Sequence, residues 1–463
     1  MKREILIDSV PGERRAAHLV AGRLVDLAVE RARDELTEGS LVLARITRVA
    51  PDMQAAFLGL PDGAEGMLRA VDARHRDGAP TKETPDRIEK LVVEGETLLV
   101  QVDRAAHGAK GARLVTDVAL QGRYLTYRPR QPGVGFAAGV KGSADQLKKL
   151  KTLAGKGAGL VLRPAGAQAK AAEVAAEVER MATLWRQTYL RQIEAPPLLL
   201  WSAPGGVVAL LRDLPGPDAL VFDGKETEIR LAQAMAAWAP DLAGRGAIAP
   251  EGGALFAERG VEDQIAEALA QRVESERGFA LTIQELEALT AIDVDIGATR
   301  DRDAALIEAA REVARQARLR RLGGQIIVDF PRVKGKPRHV DALKSALATD
   351  PAGVTWHGPT RLGLIEFTRR RAGPTLAQLL GETRHAWAPS LATIGGDLFR
   401  RVLAEGRRPL RGMTLKVGPR LDAWLRGPAL ADFDVVAKRL GFVPRIEVSV
   451  GLDEDRFVVI ADG

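Results

Sequence analysis

Residues 289–297 read LTAIDVDIG and residues 325–330 read QIIVDF, and these two stretches decide the fold. In the first, Ile292, Val294 and Ile296 alternate with Asp293 and Asp295. Residues two apart on a strand project from the same face, so the pattern predicts a strand carrying two carboxylates side by side. Gly297 then turns the chain. The segment 280–297 reads as a pair of strands joined by a tight turn. QIIVDF is a buried-type strand with a third carboxylate, Asp329, at its end. Between them, residues 303–321 set Leu306, Ala310, Val313 and Ala317 at helical spacing. Gly323–Gly324 stop that helix. RHVDALKSALA (338–348) predicts a second helix and LGLIEFTRRR (362–371) another strand. Strands alternating with helices imply an α/β layer domain, where ligand sites collect at the carboxyl ends of strands.

Outward from this centre, residues 3–29 read as three strands around PGE (11–13). GSLVLARITRV (39–49), AAFLGL (55–60), MLRAV (67–71) and EGETLLVQVDR (94–104) are short and closely spaced. They predict a small antiparallel barrel of about 80 residues. Residues 121–168 are rich in Gly, Pro and basic groups. From Ala171 to Arg191 a helix is predicted, with Val174, Val178, Met181, Trp185 and Thr188 on one stripe and Glu173, Glu177, Arg180 and Arg186 elsewhere. LLLW (198–201) and GVVALLRDL (206–214) predict a hairpin, and VEDQIAEALAQRV (261–273) a helix. Residues 383–463 form a small α+β unit.

The chain has 463 residues, enough for two to four domains and a large core. Apolar residues are 46% and charged residues 28%, which excludes global disorder. With no Cys, disulfides, thiolate metal sites and Cys nucleophiles are excluded together. The formal charge is +6, which matters only where it is focused on one surface. MKREILIDSV is not a signal peptide, and no apolar run reaches membrane-spanning length. The expectation is a cytoplasmic protein without membrane contact.

Asp293, Asp295 and Asp329 offer oxygen donors with no His or Cys nearby in sequence, a set suited to Mg2+ or Mn2+. The competing reading is that such aspartates cap helices or pair with Arg. Arg300, Arg302, Arg318, Arg320, Arg321, Lys334, Lys336, Arg338, His339 and Arg369–Arg371 crowd the same stretch. Arg300, Arg320, Lys334 and Arg338 are candidate contacts to a polyanionic backbone. For 318–321 a solvated helix face is the alternative. Phe57 lies at a strand end among small residues, with Arg45, Arg48, Arg104 and Lys110 available to line a groove for single strands. Phe57 reads equally well as core.

AAFLGL with GAEGML, VQVDRAAHGAKGARLVTDVALQGRYLTYRP, EALTAIDVDIG, LRRLGGQIIVDF and RLGLIEFTRRR together resemble the ribonuclease E/G family, in order and in spacing. The resemblance implies an RNase H-like subdomain (1–35 plus 198–262) interrupted by an S1 barrel of OB fold (36–117) and a 5′-sensor region (118–197). A DNase I-like catalytic subdomain (263–382) and the small C-terminal unit (383–463) would follow. It implies metal-binding aspartates at Asp293 and Asp329, with Asp295 standing where the family has Asn. It implies RNA stacking at Phe57, with Met67 in place of a second Phe, and RNA contacts at Arg104 and Lys110. Arg163 matches a 5′-sensor Arg, but Pro164 replaces its Thr partner and Gly353 occupies the register of a second sensor Arg.

The implied activity is Mg2+-dependent endonucleolytic cleavage of single-stranded RNA by a metal-activated water, leaving 5′-phosphate and 3′-hydroxyl ends. Ribosomal RNA precursors or mRNA would be the substrates, in processing or decay. Asp295 either joins the metal site or orients the water. Cleavage through the ribose 2′-hydroxyl needs paired His, and this chain has no close pair. The competing expectation is an RNA-binding protein of the same fold with weak or no nuclease activity. The family's Cys-based zinc link is excluded here, which predicts a monomer or a zinc-independent dimer. The scaffold tail of longer members is not expected.

Overall fold

The computed structural model describes residues 1–31, 36–74, 86–106, 111–137, 139–155, 157–214, 216–250, 254–332, 337–371, 373–383, 387–408, 410, 412–449 and 451–462. They divide into two compact units. One holds residues 1–33, 217–230 and 245–463, and the other 34–216 and 231–244.

In the first unit, strands Arg3–Val10, Glu13–Val20 and Arg23–Arg31 form an antiparallel meander. Ala219–Phe222 and Ala247–Ile248 extend the same sheet in parallel. A second sheet of six strands is built from Arg272–Ser275, Phe279–Glu285, Leu289–Ile296, Gly324–Asp329, Ile365–Arg369 and Val354–Pro359, in that spatial order. Helices Arg302–Leu319 and Arg338–Leu347 cover one face of it. Leu281, Ile283, Ile292, Val294, Ile326 and Val328 bury there against Leu306, Ala310, Val313 and Leu343. The alternation of apolar and polar residues therefore reports a sheet covered on one side only.

Helix Arg302–Leu319 is fastened to the first sheet by charge. Arg318 donates from Nε and Nη2 to the two carboxylate oxygens of Asp26, each at 2.7 Å. His18 Nδ1 lies 2.8 Å from Asp26 Oδ2. Arg315 donates to the Leu24 carbonyl at 2.6 Å, Arg321 to the Leu27 carbonyl at 3.1 Å, and Arg23 pairs with Glu312 at 2.9 Å. At the far end of the meander, Glu13 accepts from Arg15 (2.8 Å), Arg31 (3.0 Å) and Arg400 (3.0 Å). Arg400 belongs to helix Leu391–Glu405 of the C-terminal α+β portion. There, helices 391–405, 419–426 and 430–440 pack with strands Gly412–Val417, Arg445–Val448 and Phe457–Asp462.

In the second unit, Leu41–Ala50, Ala55–Gly59, Glu65–Arg69, Ala112–Val115 and Thr97–Arg104 close into a five-stranded barrel, sealed by pairing 41–45 with 97–101. Its interior is aliphatic: Val42, Ala44, Ile46, Leu58, Leu68, Val100 and Leu114.

Three sequence expectations are corrected. Residues 198–214 are not a hairpin. Leu198–Trp201 joins the edge of the barrel sheet beside Leu41–Leu43, and Gly206–Asp213 is a helix that buries Val207, Val208 and Leu211 at helical spacing. The helix from Val261 ends at Leu269, where extended Ala270 leads into a strand, Arg272–Ser275. Glu177, expected off the buried stripe of helix Ala171–Leu190, is 1% exposed. It accepts the backbone N–H groups of Arg123, Tyr124 and Leu125 at 2.7–2.9 Å, which offsets its desolvation. Gly122 passes so close to this carboxylate that a Cβ would collide with it.

Half-buried Asp26 and buried Asp8 of the first unit give opposite pH signatures. Burial pushes Asp26 up, but the hydrogen bonds and charge of His18 and Arg318 outweigh it and hold it at about 2. Its contribution is complete above the ordinary value of 3.8 and is lost as pH falls through about 2. Burial pushes Asp8 up to about 6, so its effect is lost as pH rises through that value. Asp26→Asn is expected to cost about 2 kcal/mol at neutral pH and to flatten the stability profile between pH 4 and 2. Asp8→Asn is expected to flatten it between pH 4 and 6. Urea midpoints across pH measure both.

Candidate active site and nucleic-acid interface

The parallel pairing of Leu289–Ile296 with Gly324–Asp329 sets Asp293 directly beside Asp329 in register. Both sit on the uncovered face of the six-stranded sheet and are exposed. The row continues across the sheet: Asp293 pairs with Thr282, and Thr282 with Arg272. Because the face is open, the two carboxylates of LTAIDVDIG are solvated and carry none of the desolvation cost that an apolar strand suggests.

Asp295 shares that face but is taken up otherwise. Arg272 Nη1 donates to Asp295 Oδ2 at 3.1 Å and to Thr282 Oγ1 at 3.3 Å, and its Nε donates to Glu274 at 3.2 Å. Among the described residues, no group of three or more His, Cys, Asp or Glu side chains is arranged to hold a metal ion. Two in-register carboxylates still fit a hard cation such as Mg2+, which binds through one or two carboxylates and keeps several waters. Glu366, register partner of Ile327, is a further acid at an outward position. The alternation Ile365, Glu366, Phe367 held that signal in the sequence.

The basic rim is thinner than the sequence suggests. Arg300 and Arg338 are exposed, the latter opening helix Arg338–Leu347. Lys334 lies outside the described residues. Arg320, expected to meet phosphate, is 5% exposed and donates to Gln316 Oε1 at 2.8 Å, with burial pushing its guanidinium down to about 10. Arg318 and Arg321 serve the clamp onto strand Arg23–Arg31. Arg369 is buried against Asp350 (2.8 Å) and the Leu322 carbonyl (2.8 Å), leaving Arg370 and Arg371 exposed. His339 is buried against Phe330, their rings 4.8 Å apart.

On the barrel, Arg48, Phe57, Met67 and Arg104 fall into one line, while exposed Arg45 lies opposite Gly59. Arg48 pairs with Phe57, Phe57 with Met67, Met67 with Arg113, and Arg113 with Arg104. These side chains alternate with buried Ala56, Leu58, Leu68, Ala112 and Leu114, so Phe57 is an outward residue. The Arg48 guanidinium carbon stands 4.0 Å over the Phe57 ring. Arg113, missed from the sequence, is held by Asp72 at 2.9 Å and by Asp103 at 3.5 Å. Lys110 lies outside the described residues.

Arg163 donates to Asp213 at 2.6 Å, and Arg212 shares that carboxylate at 2.7 Å. Burial pushes the Arg163 guanidinium down, while Asp213 opposes the shift. Gly353 adopts φ +83° in the turn after Asp350, a conformation that disfavours a side chain such as Arg. No helix among the described residues is long and apolar enough to cross a membrane.

Comparison with known proteins agrees over most of the chain. Residues 119–372 match the model of the ribonuclease E/G family. Ribonuclease G of Haemophilus influenzae is 28% identical over 97% of this chain and 95% of the relative. Ribonuclease G of Escherichia coli K12 is 30% identical over 82% of each. Ribonuclease E of the same strain is 28% identical over 85% of this chain but only 39% of its own length. By these matches the chain belongs to the ribonuclease E/G family.

Proposed function

We propose that the chain is a Mg2+-dependent endoribonuclease that cuts single-stranded RNA, such as ribosomal RNA precursors or mRNA, leaving 5′-phosphate and 3′-hydroxyl ends. The observation that carries this reading is the register pairing of Asp293 with Asp329 on an open sheet face. These two carboxylates would hold the ion. When bound there, a divalent cation would supply an activated water and polarisation of the scissile phosphate. Arg300 and Arg338 contact phosphates flanking the cut, and the barrel row Arg48–Phe57–Met67 with Arg104 grips the strand by stacking and charge.

A binding-only protein of the same fold is the second reading, favoured by Met67, Pro164, Gly353 and Asp295 standing where the resemblance leads one to expect other residues. One experiment separates them. Asp293→Asn and Asp329→Asn are each expected to abolish Mg2+-dependent cleavage of an unstructured RNA oligonucleotide while changing RNA affinity by no more than about twofold, since phosphate and base contacts lie mostly elsewhere. Cleavage undiminished in either purified variant refutes the metal-holding pair. No cleavage by the unmodified chain favours the binding-only protein.

Phe57→Ala removes about 1–3 kcal/mol of stacking, about ten- to a hundredfold in affinity for single-stranded RNA, and raises KM with it. Fluorescence anisotropy with a short labelled RNA reads the change. An unaltered affinity removes Phe57 from the interface.

Ends are expected to be treated alike. Arg163 is engaged by Asp213, and Pro164 offers no hydroxyl or N–H to a phosphate. One oligonucleotide bearing a 5′-monophosphate or a 5′-hydroxyl should therefore be cut at rates within about twofold of each other. A strong monophosphate preference contradicts this.

A further inference from the structure

We propose that Arg272 is a positioning residue for the catalytic face: it holds Asp295 away from the Asp293–Asp329 pair and offsets its charge, so that a phosphate can approach. The inference rests on the reading of Asp293 and Asp329 given above.

Asp293 and Asp295 stand on one face of one strand, roughly 7 Å apart along it. Left alone, they and the neighbouring Asp329 would gather three negative charges where a polyanion must bind. The residues beside Asp295 in its own row give no relief. Its register partner is Ala280, and the next strand presents Glu274 there. Relief comes diagonally, from the row of Asp293. Arg272 is aligned with Thr282, which is aligned with Asp293. Its guanidinium is steadied by Thr282 on one side (3.3 Å) and Glu274 on the other (3.2 Å), and reaches Asp295 at 3.1 Å.

Arg272 and Asp295 are 50% and 56% exposed, so the pair adds little to folding. Its consequence is local potential and donor number. With Asp295 held, the site presents two carboxylates to a cation and a weaker repulsion to RNA. This assigns a cause to the Asp at a position where the sequence resemblance leads one to expect Asn. Arg272 is shared with Glu274, so the Glu274–Arg272–Asp295 trio keeps one net negative charge rather than two.

The test uses the full chain with Arg272→Gln, Arg272→Lys and the double variant Arg272→Gln/Asp295→Asn. Mn2+ binding without RNA, followed by EPR, is read beside KM and kcat on an unstructured RNA oligonucleotide. Arg272→Gln is expected to tighten Mn2+ about three- to tenfold and to raise KM by a similar factor, because the freed carboxylate adds a donor and a charge. Arg272→Lys, which keeps the charge, should stay within about twofold of the parent. The double variant should return both quantities toward parental values. Arg272→Gln with parental Mn2+ affinity and KM, or a double variant no different from Arg272→Gln, overturns the proposal. Asp293→Asn, run in parallel, separates the failures. If it abolishes Mn2+ binding and cleavage while Arg272→Gln is silent, only the role of Arg272 falls. If it leaves both intact, the two-carboxylate site itself falls.

Discussion

The bidentate pair between Arg318 and Asp26 ties the six-stranded sheet's covering helix to the N-terminal meander, and much of the first unit follows from it. Helix Arg302–Leu319 presents its apolar stripe to one sheet and its basic side to another. Leu306, Ala310 and Val313 bury against the six-stranded sheet, while Arg315, Arg318 and Arg321 bind strand Arg23–Arg31. The buried apolar residues of the strands point to the helix side, and the carboxylates to the other. That face stays open, and the carboxylates Asp293 and Asp329 are at the surface because of it.

The barrel obeys a related rule in another geometry. Pairing of 41–45 with 97–101 closes the sheet, so outward residues of neighbouring strands form a line around it. Arg48, Phe57, Met67, Arg113 and Arg104 occupy one such line, although 56 positions separate its ends in sequence. Arg48 over the Phe57 ring gives the line a cation–π contact.

Charge is handled differently in each place. Buried carboxylates are satisfied by several donors: Glu177 by three backbone amides, Glu13 by three guanidinium groups. On the open sheet face solvent does that work, and a single Arg is enough to occupy Asp295. Arg163 is bound to Asp213, and Gly353 sits in a left-handed turn.

Periodicity alone marked the strands around Asp293 and Asp329, the helices between and after them, the three-stranded meander and the barrel, because each repeats an apolar residue at its own spacing. Ordered motifs marked the family. What periodicity does not encode is the partner of a charged side chain. Arg318, Arg320 and Arg321 read as a cationic rim, yet the fold turns them inward toward Asp26, Gln316 and the Leu27 carbonyl. Asp295 read as a third donor beside Asp293, yet a strand edge more than 20 residues away supplies Arg272 to hold it. Residues 206–214 read as a strand because a short apolar run suits either period, and the burial of Val207, Val208 and Leu211 on one helix face resolved it. The sequence determined which faces are apolar. Only the tertiary structure decided which charges meet, since ion pairs form between elements brought together by packing and leave no local pattern in the chain.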